Sequence, residues 1–303
     1  MTSGAQSRRS SVAVVGLGSI GGVAAGVLGA ADRQDVFGCA RQPIARLTLE
    51  RQEGSVELSL PVLTDPAPAK PADWVLLCTR AYQTAAAGPW LSRLCTPATR
   101  LAVMQNGIDH LARAAPFAQG ATVVPVLVYY NGERLAPDRV SFATPGISTR
   151  SSRITTRGLH GPVRGTPLRI VLSEDFVTVA WRKLLINAVA NPVTALTLQR
   201  QAVLCRPDLQ DLCRAILGEA VTVARADGAR LAEDEVALTI ATLGNFSGEL
   251  GTSMYFDRLA GRPLEADALT GAIVAAGKRH GIATPINAAL LALLRVINNG
   301  TVT

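Results

Sequence analysis

VAVVGLGSIGGVAAGVLGAADR, running from Val12 to Arg33, is the stretch on which the fold turns. Val12 to Val15 is a short apolar, largely β-branched run, the kind a parallel sheet buries on both faces. GLGSIG follows, with Gly16, Gly18 and Gly21 at the GxGxxG spacing and Leu17, Ser19 and Ile20 between them, and then a run of small residues that reads as a helix. The first glycine permits a tight turn, the second lets the backbone approach a pyrophosphate, and the third lets helix and strand pack closely. The helix then opens with its N–H groups turned toward the phosphates. Preceded by Arg8 and Arg9, the same stretch imitates a secretion signal. Five glycines, at 16, 18, 21, 22 and 26, are too many for the apolar helix of a signal, so strand, turn and helix is the better reading.

Working outward, Asp35 to Ala40 (DVFGCA) is the next strand, and at its end, where a carboxylate would bind the ribose 2′-hydroxyl of NAD, stands Arg41. A guanidinium there suits a 2′-phosphate through bidentate charged hydrogen bonds, so the expected cofactor is NADPH. Trp74 to Thr79 (WVLLCT) is a further buried strand, followed by Arg80, read either as a second phosphate contact or as a surface charge. Leu101 to Gln105 runs into Asn106-Gly107, which is by itself a turn signal and which also places an amide at a strand's carboxyl end, facing the cofactor. From Thr122 to about Val171 the α/β pattern fades into hairpin material expected to extend the sheet, with Asn131-Gly132 as a turn.

From Asp175 onward the periodicity is helical, with amphipathic stretches at 208–227, 233–243, 264–280 and 288–298. This places a boundary near Ser173, with residues 1–173 forming a dinucleotide-binding α/β domain and 174–303 an all-α domain. In AWRKLLINAVANPVTAL (Ala180 to Leu196), Lys183, Asn187 and Asn191 are four apart and form one polar stripe on a helix that Pro192 is expected to end or kink. A lysine partly desolvated on such a helix has a lowered pKa and becomes a usable proton donor near neutral pH. Only three of the 30 basic residues are lysines, which makes this one a pointed choice; the plainer alternative is a lysine reaching out from a half-buried helix. Glu265 falls in the expected first turn of the 264–280 helix, where a carboxylate suits the macrodipole. Ser253, in GTSMYFD, reads as a helix start or as a ligand donor.

Composition bounds the rest. At 303 residues, 48% of them hydrophobic and 17% charged, the chain has the makings of about two globular domains. The net charge of +7 is carried by scattered arginines with no dense basic stretch, which argues against a nucleic-acid partner. Cys39, Cys78, Cys95, Cys205 and Cys213 form no CxxC pair, and the three histidines lie far apart, so no metal site is expected and the cysteines read as core residues. An odd number of thiols suits the cytoplasm, and no run is long and apolar enough to suggest a membrane span.

Taken together, the sequence resembles the ketopantoate reductases (2-dehydropantoate 2-reductases) over nearly its whole length. The resemblance rests on WRKLxxNxxxNPxTAL (Trp181 to Leu196), GLGSIG, Arg41, RAYQ (Arg80, Tyr82, Gln83), QNG (Gln105 to Gly107), SM..D (Ser253, Met254, Asp257), Glu265 followed by Asp267, and HGI-x-x-P (His280 to Pro285). It implies a Rossmann-like domain followed by a helical domain of the 6-phosphogluconate dehydrogenase C-terminal type. It also implies NADPH-dependent reduction of 2-dehydropantoate, a step toward pantothenate and coenzyme A, with Lys183 as proton donor. Asn106, Asn187, Asn191 and Ser253 would hold substrate or cofactor, Glu265 would close near the nicotinamide ribose, and a homodimer is compatible with it. Two positions depart from the family pattern: Gln201-Ala202 stands where Asn-Gly is usual, and Leu250 where an Asn precedes the SM serine. Both bear on the substrate. They keep open a reductase of another 2-oxo acid or an opine-type imine and, from a different class, an NADP-binding sensor without turnover.

Overall fold

The computed structural model describes residues 8–143, 153–156 and 166–299. The polar tail before Arg8, His160 and parts of the 122–171 stretch lie outside the described residues. Contacts divide the chain into two compact units, Met1–Gln105 with His110–Glu174, and Asn106–Asp109 with Asp175–Thr303.

The first unit begins β1 (Ser11–Val15), α1 (Ser19–Ala31), β2 (Asp35–Cys39), β3 (Leu47–Arg51), β4 (Gly54–Leu58), β5 (Val62–Leu63) and β6 (Trp74–Leu77). It continues with α2 (Gly88–Leu94), β7 (Arg100–Val103), α3 (His110–Ala114), β8 (Thr122–Val128), β9 (Asn131–Ala136), β10 (Arg139–Ala143), β11 (Arg153–Thr156) and β12 (Arg169–Leu172). Six strands run parallel in the order β5-β2-β1-β6-β7-β8, and β11 and β12 extend that sheet beyond β8, β11 pairing antiparallel to it. Val15 lies opposite Cys39 on one side and Leu77 on the other, so β1 is central. This is the doubly wound dinucleotide-binding order, and the connection reverses direction at β1 and β6. Val12, Ala13 and Val14 are fully buried, as the apolar run requires.

A second, four-stranded sheet, β4-β3-β10-β9, corrects the reading of 122–171 as a simple extension of the first. Asn131-Gly132 is not a hairpin turn: it opens β9, and the β9–β10 hairpin turns after Ala136. The glycine is needed for close approach, because a Cβ at Gly132 would stand 2.7 Å from the Ser19 carbonyl oxygen at the start of α1. Helix α1 is thus packed on both sides. A Cβ at Gly21 would fall 1.9 Å from the Gly16 carbonyl oxygen, whereas at Gly22 it would meet Val140 of β10 at 2.5 Å and at Gly26 Leu49 of β3 at 3.1 Å.

The second unit holds α4 (Phe176–Thr197), α5 (Gln210–Ala226), α6 (Glu235–Gly244), α7 (Ser253–Leu259), α8 (Thr270–Arg279) and α9 (Pro285–Asn298). Helix α4 packs against α5, α6, α7 and α9, with Trp181, Leu184, Leu185, Ala188 and Val189 buried in one core with Ile216, Leu217, Ile273 and Leu294. Pro192 does not end α4, which continues to Thr197; the proline removes one N–H from a helix whose residues 188–195 are all buried, so packing holds it there. The helix expected over 264–280 starts only at Thr270, after an irregular stretch and a turn at 266–269. Four cysteines are buried or half-buried and none is bonded to another, but Cys205 is exposed, contrary to the expectation that all five sit in the core. Among the described residues no helix is long and apolar enough to cross a membrane.

Candidate active site

In the first unit the site is built at the carboxyl ends of β1, β2, β6 and β7. Gly16 turns with φ of +95°, its N–H donating to the Cys39 carbonyl at 3.0 Å, and a Cβ there would press on Thr79 at 2.9 Å. Gly18 is different: a Cβ would meet nothing within 4 Å, so packing does not require a glycine there. That open space above the backbone, ahead of a helix whose first turn carries no acidic side chain and no side-chain cap, fits a diphosphate bound at an N-terminus. Leu17 is buried and lies over Gly38 of β2. Ser19 and Ile20 form the first turn of α1, and the Ile20 carbonyl accepts from the buried Tyr130 hydroxyl at 2.7 Å. Burial raises that phenol well above its ordinary pKa, so it remains a donor.

Arg41 stands exposed two residues beyond β2, with no ion pair among the described residues. Arg80 is half-buried past β6, and its backbone N–H donates to the Gln83 side chain at 3.3 Å. Gln105, which sequence reading passed over as a site residue, ties this edge together. Its Nε2 donates to Thr79 and Thr84 hydroxyls at 3.0 Å each, and its Oε1 accepts from Arg113 at 3.0 Å. Only a buried amide with donor and acceptor at one end serves both partners. Burial pushes the thiols of Cys39 and Cys78 up to about 12, which leaves them inert beside this turn.

In the second unit, Asn106 is the centre. Although it follows Gln105 directly, the segment Asn106–Asp109 clusters with the helices, and Ile108 packs on their core. The Lys183 ammonium donates to Asn106 Oδ1 at 3.4 Å, and Asn106 Nδ2 donates to Glu265 Oε2 at 3.2 Å. The amide thus bridges a cation and an anion, each of which dictates one end of it. Lys183 is half-buried, and desolvation lowers its pKa from 10.5 to about 8, an effect the Glu265 charge partly opposes. Glu265 is 6% exposed and lies outside any helix, five residues before α8, which corrects its placement in a helix's first turn: its carboxylate serves Asn106 instead of a macrodipole.

The stripe on α4 exists, but its members differ in engagement. Asn191 is buried, donates to Asn187 Oδ1 at 3.2 Å, and accepts from Ser253 Oγ at 3.4 Å and the Met254 N–H at 3.3 Å. It therefore fastens the start of α7 to α4. The cap of α7 is Thr252, whose hydroxyl accepts from the Tyr255 N–H at 3.1 Å; Ser253 is the first helical residue, exposed, not the cap. Asp257 is buried and accepts from Arg262 at 2.8 Å. Gln201 and Leu250, the two departures, are neighbours: the Gln201 N–H donates to the Leu250 carbonyl at 2.9 Å. No group of three or more His, Cys, Asp and Glu among the described residues is arranged to hold a metal ion.

Comparison with known proteins gives this arrangement its family. The family model described as Ketopantoate reductase PanE/ApbA matches residues 12–151, and the model described as Ketopantoate reductase PanE/ApbA C terminal matches 175–298. The 2-dehydropantoate 2-reductase of Caulobacter vibrioides is 36% identical over 286 residues, covering 94% of this chain and 98% of its own length. The chain belongs to the ketopantoate reductase family. It is thereby one of a family of oxidoreductases with a Rossmann-like domain and a helical domain. The 2-dehydropantoate 2-reductase of Mycobacterium tuberculosis is 35% identical over 291 residues, covering 95% of this chain and 98% of its own. Among solved structures, the dimeric ketopantoate reductase of Staphylococcus aureus superposes with a TM-score of 0.84 at 25% identity, covering 95% of this chain and 99% of its own.

Proposed function

We propose that this chain reduces 2-dehydropantoate to pantoate with NADPH, Lys183 donating the proton. The observation that carries the reading is the Lys183–Asn106–Glu265 chain, in which burial holds a lysine at a pKa of about 8. At pH 7 such a lysine is roughly nine-tenths protonated and is still a far better acid than an unperturbed one. NADPH, when bound, supplies the hydride that goes to the carbonyl carbon. As negative charge builds on the carbonyl oxygen, the ammonium stabilises it and passes a proton to it, leaving an alcohol and a neutral amine that solvent reprotonates. Asn106 fixes the donor's position, and Asn187 and the exposed Ser253 hydroxyl are the groups offered to the substrate; Asn191 supports both.

In this reading residues 1–173 hold the cofactor and 174–303 the substrate. Gly16, Gly18 and Gly21, with Leu17, Ser19 and Ile20, form the diphosphate turn, and Arg41 and Arg80 take the 2′-phosphate and its surroundings. The exposed guanidinium of Arg41 just past β2 supports NADPH over NADH. Free thiols accord with a cytoplasmic enzyme, and the dimeric Staphylococcus aureus relative is the basis for proposing a homodimer.

A second reading, reduction of a different 2-oxo acid, is favoured by the adjacency of Gln201 and Leu250, which makes the two departures one altered patch. One assay separates the two. NADPH absorbance is followed with 2-dehydropantoate, with other branched 2-oxo acids, with and without an added amine, and again with NADH. Fastest turnover on 2-dehydropantoate is the expected result; turnover confined to another acid or an amine-dependent pair replaces it with the second reading. Tight NADPH binding without turnover on any of them indicates a sensor.

A further inference from the structure

Helix α9 ends on a side chain that grips the segment carrying Glu265. Asn298 brackets one residue, Leu264, and so holds the two peptide units that meet there: its Oδ1 accepts from the Leu264 N–H at 2.6 Å, and its Nδ2 donates to the Leu264 carbonyl, in the peptide that leads to Glu265, at 3.0 Å. One turn earlier, Arg295 binds Asp267 Oδ1 through Nε at 2.9 Å and Nη2 at 2.6 Å. Glu265 lies between the two gripped residues: its own carbonyl accepts from the Leu269 N–H at 3.2 Å, which ties it forward to the turn before α8, and the peptide behind it is the one whose carbonyl Asn298 holds. Its neighbours Leu264 and Ala266 are buried and fix how deeply the segment sits. Apolar burial is non-directional, however, and does not set the rotation of a peptide plane, whereas a hydrogen bond to each of the two peptides that flank Leu264 does. The Arg295–Asp267 pair is exposed on both sides and screened by solvent, which makes it the weaker hold.

We propose that Asn298 is a positioning residue: by holding the peptides on both sides of Leu264 it aims the Glu265 carboxylate at the Asn106 amide, and so sets the donor that Asn106 contacts. The inference rests on the ketopantoate reductase reading given above. It concerns a side chain that touches none of Lys183, Asn106 or Glu265 by hydrogen bond in the contacts described, and that acts through its effect on Glu265 alone.

The test is a double-mutant cycle of wild type, N298A, E265Q and N298A/E265Q, with N298D and R295A beside it and thermal unfolding midpoints for each. Wild-type turnover of 2-dehydropantoate is measured first, so a failure of the functional reading is visible before any variant is interpreted. N298A is expected to lower kcat about tenfold with the KM for NADPH changed less than about twofold, and to change kcat less than about twofold when E265Q is already present. N298D, which keeps the bond to the Leu264 N–H, is expected between N298A and wild type, and R295A near wild type. A second readout needs no substrate: acylation of Lys183, followed by peptide mass spectrometry, accelerates in N298A and E265Q alike and no further in the double variant. An equal loss from N298A in both backgrounds, or no loss in either, overturns the proposal.

Discussion

Replacing Lys183 with methionine turns the buried charge into a measurable stability difference. The fall in its pKa from 10.5 to about 8 means that folding favours the neutral amine. At about 1.4 kcal/mol per tenfold change in acidity, the charged form loses at most ~3.4 kcal/mol on folding. Lys183 is half-buried, and solvent screening brings the expected figure to about 1–3 kcal/mol. Below pH 8 both states carry the proton and the whole penalty applies. Between pH 8 and 10.5 the unfolded chain binds more protons than the folded one, so this contribution to stability rises with pH; above 10.5 the penalty is gone. K183M lacks the titration, and because the two chains share every other ionisable group, their difference isolates Lys183. Urea unfolding of both at pH 7, 8, 9 and 10 is therefore expected to show K183M more stable by about 1–3 kcal/mol at pH 7, with the gap closing as pH approaches 10. The same variant should lose about 100-fold or more in kcat while still binding NADPH. A K183M protein less stable at pH 7, or a gap that does not change with pH, would refute the desolvation argument.

Other expectations follow from the same geometry. kcat of the wild type should fall as pH rises through about 8, because only protonated Lys183 donates; a rate flat to pH 9.5 would remove it from the proton-transfer step. Gly18→Ala should leave the unfolding midpoint near wild type, since its Cβ enters open space, yet weaken NADPH binding measured by fluorescence titration about tenfold or more. Gly21→Ala should behave oppositely, its Cβ colliding with the Gly16 carbonyl, and lower stability by roughly 3 kcal/mol or more, read from denaturant midpoints. Arg41→Asp should exchange the preference for NADPH over NADH, as judged by the ratio of kcat/KM values; an unchanged ratio would free Arg41 from the 2′-phosphate role.

What was legible in the sequence was what local chemistry decides. The strand, turn and helix around Gly16 are marked by the GxGxxG spacing, although distant elements hold the helix, and the buried central strands announce themselves as unbroken apolar runs. The second sheet was not legible. Strands β3 and β4 are half exposed, and β10 finds β3 from some ninety residues away, so no local pattern records the pairing. Asn131-Gly132 has the composition of a turn and the job of a close contact, a distinction that depends on where α1 lies. Glu265 was misplaced for a related reason: an acidic residue after Gly-Arg-Pro looks like a helix's first turn, and only the buried Asn106 amide shows why a carboxylate stands there. Asn106 was found as an amide after a strand, but its membership of the helical unit, through Ile108, is tertiary information. Cys205 was assigned to the core by residue type alone, and type does not distinguish the exposed last residue of a short helical turn from its buried neighbours Val203 and Leu204.

Helix α1 has glycine at 21, 22, 26 and 29, and each interior glycine lowers the helix's own stability by roughly 0.5–1 kcal/mol relative to alanine. Alone, such a segment would be a coil. Its helical form is imposed by two sheets, one of which, β4-β3-β10-β9, contributes no group to the phosphate turn. Maturation of the cofactor pocket is therefore tied to the closing of that remote sheet. Mutations in that sheet where it packs on α1, at Val140 or Leu49, would present as cofactor-binding defects in a chain whose binding residues are all intact.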